Sequence, residues 1–150
     1  MRGLVLFAVL ALFQAAPVLA AEYATTEEAV AMVEKAETLL KKEGKDKALA
    51  AIQADPKQFT DRDLYITVTD EAGVRLFHGQ NVKLVGKNIG DSVDVNGKEF
   101  GKEMLDIAGK SGSGWVDYMF KDPISQKVLP KTSFVKKIND VIVIAGVYKR

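Results

Sequence analysis

Residues 3–13 are a nearly unbroken apolar run rich in Leu, Val and Phe, behind a short positive start of Met1 and Arg2. Gln14 and Pro17 follow, then Val18-Leu19-Ala20-Ala21. Small residues at the first and third positions before a cut are what signal peptidase accepts, so the pattern predicts cleavage after Ala20. The run is short for a membrane span, which takes about 20 residues. Pro17 and the small-residue end argue against an uncleaved anchor. The expectation is a mature chain of residues 21–150, exported to the periplasm or secreted, large enough for one core.

The whole chain has no cysteine. An exported domain without disulfides must be held by its apolar core alone. The same absence excludes a thiolate nucleophile, an iron–sulfur cluster and a Cys zinc site. The chain carries 21 Lys and Arg against 20 Asp and Glu, and Arg2 leaves with the signal, so the mature charges balance. Such a balance draws the domain neither to nucleic acid nor to an anionic membrane. No second stretch is apolar enough to span a bilayer, and no repeat or linker divides the mature chain.

Thr25 and Glu28 fit a capping box at the head of a helical run. Ala29, Val33, Ala36 and Leu40 recur on one face, widened by Met32 and Leu39, and Gly44 suits the end. A second short helix runs from about Asp46 to Ala54, before Pro56. The period then changes. Residues 64–69 are β-branched and aromatic, residues 70–73 make a turn, and Val74 to His78 return. A Gly-rich loop covers residues 79–97, and a helix covers 98–108. Three strands follow: 115–120, 128–138 and 141–148, the last two joined by a tight turn at Asn139-Asp140. The continuously apolar last strand predicts a central position covered on both faces. The order predicts an α+β fold. Its five-stranded antiparallel sheet carries the long first helix on one face, and the loop with the third helix on the other.

No catalytic constellation stands out. His78 is the single histidine, and no H-E-x-x-H or G-x-S-x-G pattern accompanies it. Ser92, Asp94, Asn96, Gly97 and Glu103 approach an EF-hand loop, but Ser92 stands where a carboxylate is required. The alternative reading is an Asn-Gly turn before the third helix, and no metal or cofactor is expected. Trp115, Tyr118 and Phe120 crowd one strand. By period two, Tyr118 and Phe120 share a face with Val116, while Trp115 and Asp117 point the other way. Lys131 and Ser133 share a face of the next strand, where a Lys can hold a carboxylate or another anion.

Seven segments in order resemble the single Cache domain family, of the type in which a long N-terminal helix leads into a PAS-like sheet. They are residues 61–66, the hairpin 70–79, Leu84 to Ile89, Gly97 to Phe100, Gly114 to Phe120, Pro130 to Val135 and Gly146 to Tyr148. The resemblance implies an extracytoplasmic sensor domain that binds small molecules, often short carboxylates, and catalyses nothing. It implies a pocket lined first by Tyr118, Phe120, Lys131 and Ser133, and after them by His78 and Trp115. Family members often carry Trp at position 120 and Tyr at 134, where this chain has Phe120 and Phe134. A second membrane helix and an output module are expected to be missing, giving a stand-alone secreted form read by a membrane receptor or kinase. The alternative is an interaction module that partners such a receptor, or itself, through the long helix.

Overall fold

The computed structural model describes residues 22–150. The expected signal peptide and its cut lie outside these residues. Helix α1 (Thr26–Glu43) begins at the expected capping box. The Thr25 hydroxyl accepts from the Glu28 amide at 3.3 Å, and the Glu28 carboxylate accepts from the Thr25 amide at 2.8 Å. Helix α2 (Lys45–Ala54) follows directly, and Gly44, at φ 79°, makes the corner.

The sheet has six strands rather than five. They are β1 (Thr60–Asp61), β2 (Leu64–Asp70), β3 (Arg75–His78), β4 (Ser113–Lys121), β5 (Val128–Ile138) and β6 (Val141–Tyr148). The added strand, β1, is a two-residue hairpin arm on β2, too short to leave a periodic signature. All pairings are antiparallel, in the order β1-β2-β6-β5-β4, and β3 also pairs with β2. Every residue of the central β6 is buried.

Two cores form, one on each face. Leu64, Ile66 and Val68 of β2, with Val141, Val143 and Ala145 of β6, pack against Ala29, Val33, Ala36 and Leu40 of α1. That contact occupies the α1 stripe, and Met32 and Leu39 lie against the same core. Helix α3 (Phe100–Ser111) covers the other face through Phe100, Met104 and Ala108, which meet Val116, Val135, Ile142 and Ile144. It starts two residues later and ends three later than its periodicity suggested, at Gly112 with φ 77°. Ile89, from the loop after β3, completes this second core.

Candidate functional site

Period two in four strands aims one set of side chains into the space under α3. Tyr65 and Thr67 come from β2, Tyr118 and Phe120 from β4, Lys131 and Ser133 from β5, and Ile144 from β6. Together with His78 and Arg75 they line a small cavity of about 20 Å³, room for one water. A vestibule of about 240 Å³ adjoins it and shares Tyr65, His78 and Phe120. Tyr118, Phe120, Lys131 and Ser133 therefore line one cavity, and His78 joins them. Trp115 does not. It sits on the opposite face of β4 with its ring 5.3 Å from that of Phe134.

Strand β3 reaches the cavity by an irregularity. Its register with β2 shifts between Val68 and Thr69, so that Thr67 faces His78, Val68 faces Phe77, and Thr69 faces Arg75. Leu76 is the extra residue of a β-bulge. In a regular strand, residues three apart point to opposite faces, but the bulge turns both Arg75 and His78 to the cavity. Gly146 of β6 keeps the floor low. A Cβ there would come within 2.0 Å of the Ser133 hydroxyl and 2.7 Å of the Thr132 carbonyl oxygen.

The electrostatics are one-sided. Lys131 is buried under three rings, with Nζ 4.1 Å from the Tyr65 centroid, 4.7 Å from Tyr148 and 5.4 Å from Phe120. It donates to the Tyr65 hydroxyl at 2.9 Å and to that of Tyr148 at 3.4 Å. Arg75 is also buried, and its Nη2 donates to the Ser92 hydroxyl at 2.8 Å. Among the described residues neither cation has a carboxylate partner, and no carboxylate lines the cavity. Burial accordingly pulls the Lys131 ammonium down to about 7, with only partial relief from the charges of Asp63 and Asp122. Burial lowers Arg75 as well.

The remaining polar groups are neutral. Burial, aided by the charges of Lys131 and Arg75, pulls the His78 imidazole down to about 3. Its Nδ1 accepts from the Gln80 and Asn81 amides at 3.2 and 3.0 Å, which fixes the start of the loop. Burial raises Tyr65 and Tyr118, so both stay protonated phenols, and Tyr118 shares a hydrogen bond with Ser133 at 3.0 Å. The Tyr118 ring stacks on Phe100 at 4.2 Å. Asp94 lies elsewhere. Its carboxylate accepts from the amides of Asn96, Lys98 and Met119, which fixes the turn before α3.

Beside the vestibule, Arg150 joins two fully buried carboxylates. Its Nη1 lies 2.8 Å from Asp63 and its Nη2 2.8 Å from Asp122. Its guanidinium covers the Tyr23 ring at 3.6 Å. Tyr148, two residues earlier, donates to the Lys121 carbonyl at 2.7 Å. Asp63 also accepts from the Ala24 amide at 2.8 Å. The last strand, the β4–β5 loop and the entry to α1 are thus tied together at one end of the sheet.

Comparison with known proteins gives a consistent picture. The family model for Single Cache domain 2 matches residues 18–150. No curated protein matches the sequence. Among solved structures, the periplasmic sensor domain of a chemotaxis protein superposes with a TM-score of 0.66 at 29% identity, covering 83% of this chain and 90% of that one. A Cache chemosensory domain, described for its carboxylic acid recognition, superposes with a TM-score of 0.67 at 26% identity, covering 83% and 92%. A methyl-accepting chemotaxis protein from Vibrio parahaemolyticus shares the fold with a TM-score of 0.67 at 22% identity, covering 81% and 86%.

Proposed function

The chain belongs to the single Cache domain family, and we propose that it is a sensor domain that binds a short carboxylate in the cavity under α3 and releases it unchanged. One observation carries this reading. Two buried cations, Lys131 and Arg75, face one cavity that has no carboxylate of its own. Buried charge is costly unless paired, so the site is completed by an anion brought from outside. Tyr118 and Ser133 supply polar contacts, and Phe100 and Phe120 exclude water from the pair. The structural similarity to a domain described for carboxylic acid recognition supports the same class.

The ligand enters from the vestibule past Tyr65, His78 and Phe120, and the cavity opens to take it. Calorimetry with acetate, propionate and the neutral amide propionamide tests the reading. A carboxylate should bind and the amide should not. Equal binding of amide and acid, or no binding by any of them, would sink it.

The affinity has a predicted pH profile. Lys131 faces Tyr65, Tyr148 and Phe120, and the nearest acids, Asp63 and Asp122, are already bound to Arg150. Below about 7 Lys131 is charged in the empty domain and binding needs no proton. Above it, each bound anion must draw a proton onto the amine, so affinity should fall by up to about tenfold per pH unit. The stability of the empty domain moves the other way. Between about 7 and 10.5 the unfolded chain holds a proton that the native amine lacks, so this group's contribution to stability rises with pH across that window. A flat affinity profile from pH 6 to 9 would remove Lys131 from the site.

We further propose that residues 1–20 direct export, and that a membrane receptor or kinase reads the bound state. Among the described residues no helix is long and apolar enough to cross a membrane. Expressed with its first 20 residues, the protein should be recovered outside the cytoplasm beginning at Ala21. Cross-linking there should join it to a membrane protein in the presence of ligand. Retention in the cytoplasm with Met1 intact refutes the export step, and unchanged cross-linking with and without ligand refutes the readout.

A further inference from the structure

We propose that Lys131 captures 2-oxo acids covalently, as a reversible imine, with Arg75 holding the carboxylate of the same molecule. The proposal rests on the cavity being a binding site for small acids, and goes beyond it in chemistry. A nucleophilic lysine needs a neutral amine, a neighbour that can move a proton, and exclusion of bulk water. Lys131 has all three. Its amine lies under three aromatic rings with no carboxylate to hold its proton. Burial leaves about half of it neutral near pH 7. The Tyr65 hydroxyl is 2.9 Å from Nζ and stays protonated, so it can donate to an oxygen bonded beside that nitrogen.

The second cation makes the site selective. Arg75 cannot lose its charge in any ordinary range, so it remains the anion partner when Lys131 is neutral. An acid bearing a carbonyl beside its carboxylate presents both partners in one molecule: the carboxylate to Arg75, the carbonyl carbon to Lys131. A simple carboxylate such as propionate presents only the first.

The step balances without any oxidant or reductant. The Nζ lone pair forms a bond to the carbonyl carbon, the carbonyl π pair moves to oxygen, and one of the nitrogen protons passes to that oxygen to give the neutral carbinolamine. The carbinolamine then loses its hydroxyl as water, with a proton supplied through Tyr65. The nitrogen lone pair closes the C=N bond and a nitrogen proton returns to the phenol. Amine and ketone give imine and one water, and hydrolysis returns the acid unchanged.

The experiment is borohydride trapping of the intact protein with pyruvate, read by mass spectrometry and peptide mapping. Hydride adds to the imine carbon and fixes it as a stable secondary amine. One adduct per chain is expected, mapped to Lys131, suppressed by excess propionate and lost in Lys131→Arg. Mapping on the unaltered protein identifies the site even where the variant folds poorly. Adducts spread over exposed lysines and insensitive to propionate would overturn the proposal. Propionate binding by calorimetry without a trapped adduct would overturn the covalent step alone. Failure of both acids to bind would overturn the carboxylate reading with it.

Discussion

Lys131→Met weakens carboxylate binding by at least about 30-fold and raises the melting temperature of the empty domain. The two effects have one cause. In the empty domain the ammonium is buried with only phenol oxygens for partners, and its lowered pKa records what that burial costs. Methionine fills a similar volume without charge, and replacing buried ionic groups with apolar ones of similar size can stabilise a protein by about 1–4 kcal/mol. With ligand present the balance reverses. Removing one partner of a buried, hydrogen-bonded charge pair costs about 2–5 kcal/mol, the source of the 30-fold figure. Calorimetry and a thermal melt of the same sample check both halves. A variant that melts lower and binds propionate as well as the native protein would assign Lys131 to packing.

Arg150→Ala destabilises the domain by about 3–5 kcal/mol, the cost of leaving buried charge unpaired. For a domain of this size that is a fall of roughly 10 °C or more in melting temperature. Asp63 and Asp122 are both fully buried and share the one guanidinium. Burial by itself raises the Asp122 carboxyl, but hydrogen bonds from Ser125 and Ile124, together with Arg150, bring it down to about 2. The stability this confers is present above the ordinary range near 3.8 and is lost as pH falls through about 2. The native protein should therefore keep its advantage over the variant at neutral pH and lose part of it in strong acid. Equal melting temperatures at neutral pH would show that water satisfies the two carboxylates without help.

Most of the architecture follows from local rules that act within one element. The capping box at Thr25, the stripe on α1 and the burial of every residue in β6 each depend on spacing along a single run. So does the shared face of Tyr118 and Phe120, and of Lys131 and Ser133, since both pairs lie in regular strands. The opposite face of Trp115 was legible by the same period, and its distance from the cavity follows. Tyr65 and Thr67 also lie on a regular strand. They were missed because a β-branched and aromatic run reads as core on both faces. Arg150 and Asp63 pair across 87 positions of sequence, and nothing in the neighbourhood of Asp63 or Asp122 marks them as partners. Arg75 was hidden for another reason: its direction depends on pairing, and pairing is not a property of one strand.

That last case extends beyond this cavity. Leu76, an aliphatic residue packed against the α1 core, supplies no charge and no hydrogen-bonding side chain, yet the bulge that leaves it unpaired is what keeps a guanidinium three residues from His78 on the cavity side. The polarity of the chamber is thus encoded partly in how a hairpin pairs and not only in its letters. Substituting Leu76 by another aliphatic residue preserves the message. Deleting it leaves Arg75 two residues from His78, still on the cavity face of a regular strand, whereas the full-length strand paired without the bulge would turn Arg75 towards the α1 core. Within such a sheet, aligned identities at the polar positions are an incomplete guide to shared chemistry, because the same letters meet a different face when the strand pairs in another register.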